Sequence, residues 1–99
     1  MQIETVDIAA VIPYDNNPRH NEDAVALVRD SLVQYGWRQP IVVGKDMVVI
    51  VGHTRLLAAR KLGMTSVPVH VAENLTDAQA KAYRLADNRT GETATWDLD

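Results

Sequence analysis

The sequence contains no cysteine. That single absence excludes disulfides, thiolate metal sites, iron–sulfur clusters and a cysteine nucleophile. It accords with a reducing, cytoplasmic setting. No apolar run approaches the roughly 18 residues that a membrane-spanning helix needs. Met1 to Asp7 has neither the basic flank nor the apolar stretch of a secretory signal. An excess of positive charge is also missing: ten Lys and Arg against thirteen Asp and Glu leave a net charge of −3. A domain that grips DNA chiefly by bulk charge is therefore not expected. His20, His53 and His70 lack the spacing of metal ligands.

What is present suits one packed domain over residues 1–99. The chain has 99 residues, 46% of them hydrophobic and 23% charged, too few charges for wholesale disorder. A chain of this size buries about 60–65% of its unfolded surface, enough to fold alone without much reserve. There is no internal repeat and no low-complexity stretch.

Read along the chain, Ile3, Val6 and Ile8 give a β-like start. Pro13-Tyr14-Asp15-Asn16-Asn17-Pro18-Arg19 is a loop by its turn residues. Asn21 can cap a helix in which Val25, Val28, Leu32 and Tyr35 recur at helical spacing, and Gly36 stops it. Gln39 to Val43 is a β-branched strand. Gly44-Lys45-Asp46 turns the chain into a second strand, Met47 to Val51. Gly52 then leads into a helix over about Thr54 to Leu62, with Gly63 as its stop. Val67 to Val71 is another strand, and Pro68 suggests an edge or a strand start. Thr76-Asp77-Ala78-Gln79 is a capping box that opens a helix to about Asp87 or Asn88. Trp96-Asp97-Leu98-Asp99 reads as the cap of one more helix, so the chain is expected to be a piece of a longer protein. The order β–α–β–β–α–β–α, without regular βαβ repetition, implies an α+β domain with a mixed sheet.

Three segments could carry chemistry. The strand, Gly52-His53-Thr54-Arg55 and the helix behind them place unpaired backbone N–H groups and the positive dipole end beside a fixed guanidinium. That is a phosphate or carboxylate site, although strand–glycine–helix junctions are common and Arg55 could be a solvated surface residue. Asn17-Pro18-Arg19 could carry Arg19 toward a ligand or be an ordinary loop. Asp87-Asn88-Arg89 could offer hard oxygens to a magnesium ion, with Arg89 balancing phosphates, or simply end a helix. His53 could act as acid or base, or be a hydrogen-bonded turn residue. Trp37 reads as a core residue packed on the sheet, with base stacking as the alternative.

In their order and spacing these segments resemble the ParB/sulfiredoxin family, and the ParB N-terminal domain in particular. Asn17-Pro18-Arg19 is similar to its Asn-Pro-Arg motif. Gly36 to Val43, with Gln39-Pro40-Ile41, resembles its glycine-x-x-glutamine-proline-isoleucine strand entry. Gly52-His53-Thr54-Arg55 and the small-residue helix behind it resemble the Gly-Glu-Arg-Arg box. Asp87-Asn88-Arg89 resembles the Glu-Asn-x-x-Arg segment. Leu85 to Thr90 followed by Trp96-Asp97 is most like the ParB-type domains found ahead of phage or prophage DNA methyltransferase domains.

The resemblance implies the ParB/sulfiredoxin fold and a pocket for a nucleoside triphosphate, CTP or ATP, with magnesium. Gly52, His53, Thr54, Arg55 and Arg19 would meet phosphates. Asp87 and Asn88 would meet the metal, and Asn17, Gln39 and Arg89 would line the pocket. The implied role is a regulatory module of a DNA-modifying or DNA-partitioning protein, touching DNA only through a fused or partner domain, with room for a homodimer and for weak nucleotide hydrolysis. The alternatives are an active phosphotransferase or nuclease on the same fold, or a protein-interaction domain with a decayed pocket. The box here is Gly-His-Thr-Arg, one arginine short. Sulfiredoxins carry a cysteine where His53 stands, which excludes their reductase chemistry. ParB-fold serine kinases use an acidic residue near the box, and none occurs from Gly52 to Arg55.

Overall fold

The computed structural model of the protein describes residues 2–14 and 22–97, with side chains as far as Asp87. Its elements follow the expected order: β1 (Glu4–Asp7), a 3-10 turn (Ile8–Ala10), α1 (Glu22–Tyr35), β2 (Ile41–Gly44), β3 (Val49–Val51), α2 (His53–Lys61), β4 (Ser66–Ala72) and α3 (Asp77–Asp97). The four strands form one mixed sheet in the order β1-β4-β2-β3. β1 runs antiparallel to β4, β2 antiparallel to β3, and β2 parallel to β4 with Ile41 opposite Val69 and Gly44 opposite Ala72.

Alternation along the strands sorts their side chains to two faces. Ile41, Val43, Val49, Val67 and Val69 share one core with Val11 and with Leu56 and Ala59 of α2. Val42, Ile50 and Ala72 face the other way and meet Ala80 of α3. The sheet is thus sandwiched between α2 and α3, and α1 packs on α2. Trp37 packs on the first core and its indole N–H lies 3.5 Å from the Met64 sulfur, as expected of a core residue. The stripe on α1 buries Val25 fully, but Tyr35 at the helix end is exposed.

Several boundaries differ from expectation for local reasons. β1 gives way at Ile8 to a 3-10 turn because the Asp7 carboxylate accepts the Ala9 N–H at 2.8 Å. β2 opens at Ile41 and not at Gln39, since Pro40 has no N–H for a ladder. β3 opens at Val49 because Met47 sits at φ 67, outside strand geometry. The turn is closed instead by Met47 N–H to the Gly44 carbonyl at 2.9 Å and Val48 N–H to the Asp46 carboxylate at 3.1 Å. Pro68 lies in an interior strand, not at an edge. It sits opposite Thr5, one residue before the parallel ladder with β2 begins at Val69. The capping box forms as read, with Gln79 N–H donating to Thr76 Oγ1 at 3.1 Å and Thr76 N–H to Gln79 Oε1 at 2.8 Å. The α3 backbone then continues to Asp97, past the expected end, so Trp96-Asp97 falls inside α3 and starts no new helix. Gly91 costs a helix only about 1 kcal/mol and does not break it. The expected cap at Asn21 lies outside the described residues.

Candidate functional site

The junction between β3 and α2 is a strand, a glycine and a helix start, in the order read from the sequence. Gly52 precedes α2 at φ 99, ψ 25, a left-handed conformation, and contributes no side-chain cap. A Cβ built on it would lie 3.4 Å from the Ile41 Cα, so the glycine rests directly on the first residue of β2. The first intrahelical bond of α2 runs from Leu56 N–H to the Gly52 carbonyl at 3.1 Å. A helix start leaves its preceding N–H groups without intrahelical partners and presents the positive end of the dipole. His53 and Thr54 are half-buried on this first turn.

Arg55 stands on the same turn, half-buried. Its Nη2 donates to the Gln39 side-chain oxygen at 2.6 Å. Two residues singled out from separate segments are therefore brought together. Gln39 comes from the strand entry and Arg55 from the helix start, and Ile41 beneath Gly52 joins them through β2. The contact fixes one edge of the guanidinium, and an arginine has further N–H donors to offer an anion.

The other expected site residues fare differently. Asn17 and Arg19 lie outside the described residues. Asp87 is half-buried on α3. The side chains of Asn88 and Arg89 lie outside those described, so the Asp87-Asn88 pair is placed by backbone alone. Among the described residues no group of three or more His, Cys, Asp or Glu could hold a metal ion. Asp87 nonetheless offers a hard carboxylate oxygen. Magnesium binds through one or two carboxylates and keeps waters and substrate phosphates as its other ligands, so this donor fits an ion carried in with a nucleotide.

An open cavity of about 460 Å³ lies elsewhere, lined by Lys45, Asp46, Leu75, Asp77, Ala80 and Arg84 among others. It adjoins Gly44 and Ala72, at the opposite end of β2 from Gly52. Three residues of strand put it about 10 Å from the α2 start. Sequence reading missed the role of Arg84. Its Nε donates to the Val49 carbonyl at 2.8 Å and its Nη2 to the Val48 carbonyl at 3.3 Å. Its guanidinium also lies 4.6 Å from the centre of the Tyr14 ring. No local pattern announces a contact between residues so distant in sequence.

A mixed four-stranded sheet, a glycine-capped helix start beside a Gln-Pro strand entry, and a capped third helix make an α+β domain of the ParB/sulfiredoxin fold. The model of the ParB N-terminal domain matches residues 1–89, and the chain belongs to that family. It is 43% identical over 68 residues to the ParB-like nuclease domain-containing protein YnaK of Escherichia coli strain K12, covering 68% of this chain and 78% of that protein. It is 31% identical over 91 residues to the Stage 0 sporulation protein J of Bacillus subtilis strain 168. That match covers 87% of this chain but only 32% of the Bacillus protein, so the chain spans about a third of it.

Among solved structures, truncated Caulobacter crescentus ParB complexed with CTP-gamma-S overlays with a TM-score of 0.74 at 24% identity, over 89% of this chain and 53% of that one. The same protein complexed to the centromeric parS site overlays at 0.68 and 25%, over 86% and 46%. Sulfiredoxin from Arabidopsis thaliana overlays at 0.70 and 20%, over 84% and 97%, a likeness of fold.

Proposed function

We propose that this domain binds a nucleoside triphosphate, CTP or ATP, together with magnesium, and serves as the regulatory module of a DNA-modifying or DNA-partitioning protein. The observation that carries the reading is the left-handed Gly52 seated on Ile41 at the start of α2, with Arg55 held beside it by Gln39. A glycine tolerates this φ and the close approach to Ile41, and the helix start behind it would offer its first N–H groups to phosphate oxygens. Arg55 would supply the matching positive charge, with His53 and Thr54 on the same turn and Arg19 as a further phosphate contact that the family resemblance suggests. Asp87 and Asn88 would hold the metal, and Asn17, Gln39 and Arg89 would complete the wall. Magnesium would neutralise phosphate charge when bound. The complex of Caulobacter ParB with CTP-gamma-S supports the choice of ligand, and its complex with parS supports a DNA-linked setting. DNA would be reached through a fused or partner domain, of which a methyltransferase is one kind, in the cytoplasm.

Isothermal titration with CTP, ATP and GTP, each with and without magnesium, tests the reading. One nucleotide should bind saturably and more tightly with the ion. Asp87→Ala and Asn88→Ala should each remove the magnesium-dependent gain and leave a weaker metal-free component. No binding by any of the three nucleotides would refute the reading. Retention of the full magnesium effect by both variants would refute the metal assignment. Product analysis after incubation distinguishes a binding module from a phosphotransferase or nuclease.

A further inference from the structure

We infer that Arg84 is a positioning residue, which fixes α3 against β3 and so holds Asp87 in place relative to Gly52 and Arg55; this rests on the nucleotide and metal reading above. The two halves of the proposed site belong to different units. Gly52 and Arg55 sit at the end of β3 and the start of α2, one continuous piece of chain. Asp87 sits on α3, which lies on the opposite face of the sheet and meets β3. The Arg84 guanidinium joins them, donating to the Val49 and Val48 carbonyls at 2.8 and 3.3 Å. Val49 is three residues before Gly52 along a strand, a short and stiff connection. Asp87 is three residues after Arg84, on the neighbouring turn of the same helix side.

A planar fork that grips two backbone carbonyls resists both sliding and rotation of the helix that bears it. The Tyr14 ring, 4.6 Å from the guanidinium carbon, backs that fork from a third segment. Among the described residues of α3, Ala80 is the buried one, packed with Ile50 and Ala72. The guanidinium adds a directional constraint to that packing. Arg84 touches no ligand in this account. It acts through Asp87.

The test compares Arg84→Met, which keeps much of the side-chain bulk and removes the fork, with the unaltered chain. In nucleotide titration with and without magnesium, the variant should lose at least fivefold of the magnesium-dependent gain in affinity. Its magnesium-free affinity should stay within twofold. A purely structural role would lower the melting temperature and leave the magnesium gain of the folded protein intact, and that result overturns the inference. In an Asp87→Ala background the substitution should have no further effect on the magnesium gain, whereas an added loss contradicts action through Asp87.

Hydrogen exchange supplies a readout independent of ligand. Amides from Tyr83 to Asp87 should exchange at least tenfold faster in Arg84→Met, while those from Leu56 to Ala59 keep their protection. Unchanged exchange in α3 overturns the inference even if the unaltered chain binds no nucleotide, an outcome that would separately refute the function proposed above. Should Arg84→Met not fold, Tyr14→Leu weakens the same fork more gently. It should show the same pattern at smaller size, with Tyr14→Phe restoring the unaltered behaviour. Equal behaviour of the two tyrosine variants would count against the fork.

Discussion

Replacing Gly52 by alanine isolates the backbone device on which the proposed site depends. The residue adopts φ 99, where an L side chain crowds its own carbonyl at a cost of about 1–2 kcal/mol. Packing adds little, because the new methyl would lie 3.4 Å from the Ile41 Cα and 3.5 Å from its Cγ1, which is ordinary contact. The stiffening of the unfolded chain by alanine gives no net gain where the native φ is positive. The expected loss is therefore about 1–2 kcal/mol. For a domain of this length that lowers the melting temperature by about 4–15 °C. Urea unfolding followed by circular dichroism should show a lower midpoint with an unchanged slope.

Gly44→Ala is the contrasting case. Gly44 is not among the positive-φ glycines, and its added Cβ would come within 2.8 Å of the Asp46 Oδ1. That oxygen accepts the Val48 N–H at 3.1 Å. Moving it aside should cost one hydrogen bond, about 0.5–1.5 kcal/mol, with no effect at the α2 start. Gly52→Ala should in addition weaken nucleotide binding, since relief of the strained left-handed φ moves the first N–H groups of α2. A stability change below about 0.3 kcal/mol, small beside the left-handed penalty, would refute the left-handed geometry at Gly52.

Arg55→Ala should weaken nucleotide binding by about 1.5–3 kcal/mol, the scale of a charged hydrogen bond, while the ligand-free protein loses only the Gln39 bond, about 0.5–1.5 kcal/mol; unchanged affinity in titration would remove Arg55 from the site. Thr76→Ala removes the acceptor of the Gln79 N–H and should destabilise the domain by about 0.5–2 kcal/mol in urea unfolding. The isolated domain, with its net charge of −3, should bind random duplex DNA more weakly than a Kd of about 10⁻⁵ M near 150 mM salt. Fluorescence anisotropy showing tighter, steeply salt-dependent binding would reveal a basic face that the fold assembles.

Element order was readable because local signals agreed with one another. The β-branched runs at Ile41 to Val43 and Val67 to Val71, the capping box at Thr76, and Gly52 before a small-residue helix all named the element that formed. The misread boundaries sit where a single residue acts through geometry that composition hides. Met47 takes a left-handed φ in the β2–β3 turn, a position that composition would give to glycine. Pro68, read as an edge or a strand start, lies near the start of an interior strand, where the N–H it lacks is not needed because the β2 ladder begins one residue later. The meeting of Gln39 with Arg55 was anticipated only as common membership of a pocket. Their direct bond depends on β2 and β3 being neighbours, which no local pattern states. Arg84 was invisible for the same reason, since its partners are 35 and 36 residues away.

Among the described residues two places could take a polyanion, and charge decides between them. One is the cavity at the carboxyl ends of the parallel strands β2 and β4, and such ends are where open α/β sheets usually take ligands. Its charged lining is balanced, however, with Lys45 and Arg84 against Asp46 and Asp77. Arg84 is already committed to two carbonyls, and Asp46 to the Val48 N–H. A triphosphate entering there would meet two carboxylates for one uncommitted cation. At the α2 start the balance reverses. Gly52 offers backbone with no side chain in the way, the helix dipole is positive there, and Arg55 is tied to a neutral amide and not to a carboxylate. A guanidinium bound to Gln39 keeps its full charge for a ligand, whereas one paired to an acid would have most of it cancelled. The α2 start is thus the place whose electrostatics favour phosphate, and the glutamine at position 39 is the reason Arg55 is held in position without an acid to cancel its charge.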